Sequence, residues 1–124
     1  MPDRNVLLAL AQQIEHAETD FWGLGDAAKD LLLGTDHRMQ ANPGVSLDAC
    51  RMLHMRLLEP WVAELEIRAD GRGACGLRET PAPRREVTRV TAKTTALAYL
   101  AAICRALAAD PGPRQGSPPS APRD

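Results

Sequence analysis

Leu7, Leu10 and Ile14 recur at three-to-four spacing behind Asp3, a residue that can accept from the first free N–H groups of a helix. The spacing predicts a helix over residues 4–19. Phe21, Trp22, Gly23 and Gly25 interrupt it, and Ala27, Ala28, Leu31 and Leu32 restart it until Gly34, which predicts a short second helix over 25–33. Residues 35–45 are polar and contain Asn42-Pro43-Gly44, so they read as a loop. Ser46 is a good N-cap and Asp48 suits the positive end of a helix dipole. With Leu47, Cys50, Leu53 or His54, and Leu57 at helical spacing, they predict a third helix that runs to about Leu58 and stops before Pro60.

The period then changes to two. Trp61, Ala63, Leu65, Ile67 and Ala69 alternate with Val62, Glu64, Glu66 and Arg68, as in a strand with one face in the core and the other in water. Asp70-Gly71 signals a hairpin, from which Ala74 to Thr80 returns with Cys75 and Leu77 inward, while Gly73 and Gly76 weaken that strand or mark a bulge. Pro81, Pro83, Arg84 and Arg85 make a longer turn, and the β-branched run from Glu86 to Ala92 adds a third strand. Thr94 or Thr95 can cap a last helix with Ala96, Leu100, Ile103 and Leu107 as its apolar stripe, ended by Asp110-Pro111-Gly112.

The predicted fold class is α+β, in the order α-α-α-β-β-β-α, with a three-stranded antiparallel meander. The expected body is a helix-meander-helix unit over residues 46–110, its sheet packed on the helices of 46–58 and 94–109. Residues 1–34 form a helical, acidic N-terminal extension of the same single domain, 1–110. Residues 111–124 hold five prolines among Gly, Ser and Arg, and read as a disordered tail. An open sheet of three strands leaves its edges to be satisfied, which makes a homodimer a reasonable expectation.

Composition refines this picture in three ways. Apolar residues make up 44% of the chain but aromatics only 3%, so the core is aliphatic. The formal net charge of -1 argues against a general attraction to nucleic acid or anionic membrane. Residues 1–45 carry three Lys and Arg against seven Asp and Glu, whereas residues 46–110 carry ten against eight. Cys50, Cys75 and Cys104 are odd in number, far apart and set among small or apolar residues, as expected of reduced, buried thiols in a cytosol. Without an apolar run long enough for a membrane span or signal peptide, the chain is expected to stay in the cytoplasm and away from membranes.

Several local motifs stand out: Ile14-Glu15-His16-Ala17-Glu18, Leu24-Gly25-Asp26-Ala27-Ala28 through Leu33-Gly34, Ser46-Leu47-Asp48-Ala49, Trp61 opening a strand, and Thr94-Thr95-Ala96-Leu97-Ala98 through Arg105-Ala106-Leu107. Together, over roughly residues 7–109, they resemble the phage "ABA sandwich" family of small proteins encoded in prophages and phage-like elements. This chain departs from the family in placing Glu59-Pro60 before the Trp, where members commonly carry a glycine. The resemblance implies a bacterial or phage origin and a helix, sheet, helix layering, and it implies no particular activity.

Candidate chemistry is sparse. Cys50 and His54 are four apart on one helical face and could supply two metal ligands, with His37, Cys75 or Cys104 needed to complete a set; the apolar stripe makes packing the stronger reading. A nucleophilic cysteine would need a nearby histidine, which nothing places beside Cys75. Glu64 and Glu66 share a strand face that reads as solvated. Gly71, Gly73 and Gly76 lie in a hairpin and not between strand and helix, so no phosphate loop and no cofactor are expected. Phe21 and Trp22 read as a buried hinge before a partner anchor.

The one feature with directional bias is the basic set Arg68, Arg72, Arg78, Arg84, Arg85, Arg89 and Lys93 on the meander and its turns, a candidate binding surface for phosphates or an acidic partner. Helix, three antiparallel strands, helix is also the order of double-stranded RNA-binding domains, but Lys93 is a single lysine where those cluster several, and Glu64, Glu66, Glu79 and Glu86 dilute the arginines. The leading expectation is therefore a non-enzymatic, prophage-encoded accessory or protein-interaction domain with an unknown protein partner. Nucleic-acid binding through the meander is the alternative.

Overall fold

Asp3 caps α1 (Arg4–Glu15) as predicted, its carboxylate accepting the N–H of Asn5 at 2.7 Å. The computed structural model describes residues 3–79 and 86–109. The helix stops at Glu15 and not at residue 19, because His16 closes it: its backbone N–H and its ring Nδ1 both reach the carbonyl of Gln12, at 3.2 and 2.9 Å. Asp20 then takes a left-handed conformation, with φ 61°.

The second helix, α2 (Phe21–Leu33), starts four residues before its predicted position, with Gly23 and Gly25 inside it. The glycines read as breakers, but they answer a need for close approach. A Cβ on Gly25 would lie 1.8 Å from Asn42 Oδ1 and 2.5 Å from the Gly44 nitrogen. The loop over 35–45 is correspondingly not all in water. Asn42 is 2% exposed; its amide donates to the Trp22 carbonyl (2.9 Å) and Asp26 Oδ1 (3.1 Å), and its oxygen accepts the Gly44 N–H (2.8 Å). Every polar atom of this buried amide is therefore used, the condition under which burial is tolerated. Lys29 fastens the same loop by donating to the Met39 carbonyl. Trp22 is exposed, against the hinge expectation, while Phe21 is half-buried against the core.

Ser46 caps α3 (Leu47–Leu57) through the N–H of Ala49 at 3.1 Å. Its buried stripe is Ala49, Cys50, Leu53 and His54; Leu47, the first residue of the predicted stripe, faces solvent.

Three antiparallel strands follow in the order β1-β2-β3: β1 (Trp61–Ile67), β2 (Gly73–Glu79) and β3 (Glu86–Ala92). The hairpin closes with Arg68 donating to the Arg72 carbonyl (2.7 Å) and accepting from Gly71 (2.9 Å), and Gly71 supplies the positive φ of 88° that this turn requires. The ladder of β2 with β3 shifts register between Cys75 and Leu77, so the expected bulge falls at Gly76. The turn expected at Pro81 to Arg85 and the tail at 111–124 lie outside the described residues.

Thr94 Oγ1 accepts the Leu97 N–H at 3.1 Å and starts α4 (Thr95–Ala109). A single apolar stripe was expected there; instead the helix is buried almost all round, from Ala96 to Ala108 with only Arg105 half-exposed. A helix apolar on every side belongs inside a core. The sheet covers one side of α4 through β2 and β3, and α1 covers another with Leu7, Leu10, Ala11 and Ile14. Arg105 grips Glu15 through Nε and Nη2, tying the two helices.

Three expectations about packing are thereby corrected. The N-terminal helices are not an appendage, since α1 has its broadest contact with α4 and shares the one apolar core. The meander packs on α4, and α3 leans on α4 without forming a second support under the sheet. The helix, sheet, helix layering does not occur among the described residues either: α4 and α1 lie on the same side of the sheet, whose other face carries the exposed Glu64, Glu66, Arg78 and Arg89. Because α4 runs under β2 and β3 and barely reaches β1, Leu65 and Ile67 are 44% and 78% exposed, although their alternation placed them inside.

Candidate functional site

The arginines of the meander come together on the open face of the sheet, but they do not arrive alone. Arg78 on β2 donates to Glu64 on β1 at 3.1 Å, two residues held side by side by the pairing of Val62 with Arg78 and Glu64 with Gly76. Arg89 on β3 reaches Glu66 across the middle strand. The passage is open because β2 presents only Ala74 and Gly76 between them. Lys93 is paired with Glu18 at 3.1 Å, and Arg68 lies loosely against Asp70 at 3.9 Å.

Among the described members of the set only the Arg72 guanidinium makes no ion pair, although the Arg72 backbone N–H donates to Asp70 Oδ1 at 3.0 Å. It lines a polar pocket of about 380 Å³ with His16, Arg89, Thr91, Arg105 and Glu15. Arg84 and Arg85 lie outside the described residues. Among the described residues the basic surface is thus largely ion-paired, with Glu64 and Glu66 as counter-charges to Arg78 and Arg89.

Cys50 and His54 do share a buried helical face, yet both are committed to the protein's own carbonyls. The Cys50 thiol donates to Pro43 (3.1 Å) and Ala96 (3.3 Å). His54 Nε2 faces the Trp61 carbonyl at 2.8 Å, which can only accept, so Nε2 carries the proton. Nδ1, 2.5 Å from the Tyr99 hydroxyl, then accepts from it in the neutral ring. Burial pushes the Cys50 thiol up, and takes Cys75 and Cys104 up to about 12, against the direction a nucleophile or metal ligand needs. Among the described residues no group of three His, Cys, Asp or Glu is placed to hold a metal ion.

A different surface lies away from the meander, on α2, α3 and the loop between them. Between the end of α2, the loop at 36–39 and the outer face of α3 runs an open groove of about 1120 Å³, floored by Leu33, Met39 and Leu53. Met52 and Met55 stand along it at 55% and 53% exposure. Arg38, Arg51 and Arg56 rim it, and none of them makes an ion pair among the described residues; Asp36 and Asp48 are the groove's acidic members. His37 is locked in place, its Nδ1 accepting the Met39 N–H (3.2 Å) and its Nε2 meeting Asp30 Oδ1 (3.0 Å).

Compared with protein-family models, curated proteins and solved structures, the chain matches none.

The groove was within reach of the sequence. Met52 and Met55 fall off the buried stripe of Ala49, Cys50, Leu53 and His54, which puts two large apolar residues on the face of α3 that ought to be polar. Among the described residues, unpaired positive charge therefore sits around this groove more than on the meander.

Proposed function

We propose that the chain is a non-enzymatic protein-interaction domain, in keeping with the prophage-encoded accessory proteins its motifs resemble, and that the α3 groove receives an amphipathic helical segment of a partner protein. The observation that carries this reading is the conjunction of Met52 and Met55, both more than half exposed, with three arginines lacking carboxylate partners at the rim. Methionine is flexible and polarizable, so it adapts to an apolar helix face laid over it. The arginines select a partner segment with acidic flanks.

A peptide-display selection on the full chain tests this. Enriched peptides are expected to place apolar residues at helical spacing between acidic ones, to lose binding on Met52→Glu, and to bind less tightly as salt rises. A selection that yields no enriched family, or one indifferent to Met52→Glu, overturns the reading.

A second reading, nucleic acid on the meander, keeps one observation in its favour: the Arg72 guanidinium makes no ion pair among the described residues and lines a pocket with His16, Arg89 and Arg105, where Glu15 is already taken by Arg105. Binding of duplex RNA or DNA at low ionic strength that is lost on Arg72→Glu supports it, and no binding under those conditions removes it.

A further inference from the structure

The outer edge of β1 offers a second interface, distinct from the groove. Arg68 exchanges both its backbone bonds with the β2 side of the hairpin, so residue 68 points inward. Alternation along an antiparallel strand turns Glu66, Glu64 and Val62 the same way, and directs the N–H and C=O of Ala63, Leu65 and Ile67 outward. Trp61 confirms the phase, and its edge is already occupied: its N–H donates to Leu58 (2.9 Å) and its carbonyl accepts from His54 (2.8 Å). Past that point no strand lies beyond β1 among the described residues, and the edge holds neither lysine nor proline to discourage pairing. Leu65 and Ile67 add apolar side chains that α4 leaves bare.

We propose that this edge is filled by a second copy of the chain, the two β1 strands running antiparallel across a two-fold axis with Leu65 opposite the second copy's Ile67. The edge is self-complementary in only this way. Outward-facing residues must oppose one another, which leaves Leu65 facing Ala63, itself or Ile67 of the other copy. Facing Ala63 would bring Ile67 against Trp61, whose edge groups are taken by Leu58 and His54. Facing itself would set Glu64 against Glu66 twice, and like charges directly opposite are unfavourable. Facing Ile67 sets Glu64 against Arg68 twice, and Arg68 is held only loosely by Asp70 at 3.9 Å. The remaining self-opposed residue, Glu66, makes one like-charge pair at the axis where the self-facing register makes two, and Arg89 stands beside it as counter-charge. The six-stranded sheet so formed would carry the helices of both copies on one side.

The test is the mass of the full chain by light scattering across a wide range of concentration. The wild type is expected at twice the mass of one chain. Leu65→Pro removes an N–H that points away from β2, and Ile67→Lys alters a side chain that is 78% exposed, so both variants should keep a wild-type circular dichroism spectrum and run as monomers. Arg68→Glu should raise the dimer dissociation constant roughly tenfold by turning two cross-strand attractions into repulsions. The reciprocal double change Glu64→Arg with Arg68→Glu should recover part of it, since Glu64→Arg also takes from Arg78 its partner. Met52→Glu, on the groove, should leave the mass unchanged, which separates this interface from the partner groove. A monomer at every concentration, a dimer that survives Leu65→Pro and Ile67→Lys, or a dimer indifferent to the charge reversal would overturn the proposal.

Discussion

The hydroxyl of Tyr99 on α4 lies 2.5 Å from Nδ1 of His54 on α3, the two rings edge to face with centroids 5.7 Å apart. Through its other nitrogen the same imidazole holds the Trp61 carbonyl at the start of β1, so one side chain joins α3, α4 and the sheet. Tyr99→Phe would leave Nδ1 buried without a partner, at a cost of about 1–3 kcal/mol. Urea unfolding should show that loss with an unchanged denaturant slope. A variant as stable as the wild type would mean that the contact adds nothing net.

Gly73 sits where the first turn of α4 meets β2, and a Cβ there would lie 2.2 Å from both the nitrogen and Cα of Thr95. Backbone cannot swing aside as a flexible side chain does. Gly73→Ala should therefore destabilise by about 3 kcal/mol or more through overpacking. Gly71→Asn, in open space at a φ of 88°, should cost far less, because asparagine tolerates the left-handed region. Melting temperatures of the two variants test the contrast directly.

Caps and turns were legible because their chemistry is local: Asp3, Ser46 and Thr94 each accept from a nitrogen two or three residues ahead, and Asp70-Gly71 closes its hairpin. What escaped depends on residues remote in sequence. Gly25 looks like a helix breaker until Asn42 and Gly44 are found packed on it. Leu65 and Ile67 alternate as core residues do, and only the position of α4 under β2 and β3 exposes them. The arginine patch was visible as a count, whereas its neutralisation depends on a strand register that sets Glu64 and Glu66 within reach.

Alkaline pH should unfold the protein through its interior. Burial raises Cys75 from its ordinary 9.0, and Tyr99 from 10.0, each up to about 12, with Cys50 and Cys104 moved the same way. A raised folded value means that the unfolded chain loses its proton first. The stabilisation held by the neutral form is complete below about pH 9 and is lost as pH climbs towards about 12. Stability should fall over that window, by up to about 1.4 kcal/mol per pH unit for each titrating group. Replacing Cys104 by alanine should flatten the slope at the expense of a core cavity. Denaturation at a series of pH values reads both effects.

If the ion pairs of the open sheet face are what keep the meander from meeting phosphates, removing the carboxylates should uncover it. Glu64→Gln with Glu66→Gln frees Arg78 and Arg89, and both positions are exposed, so the change should cost less than about 1 kcal/mol of stability. The freed pair should bind duplex nucleic acid more tightly at low salt than the wild type does. The log–log salt slope should steepen by roughly two, close to one unit for each added phosphate contact. Fluorescence anisotropy with a labelled duplex, titrated at several salt concentrations, measures both quantities. An unchanged affinity and slope in the double variant would show that Glu64 and Glu66 are not what restrains this surface. Binding by the wild type already as tight as by the variant would place the contact elsewhere, with Arg72 and its pocket the first position to mutate.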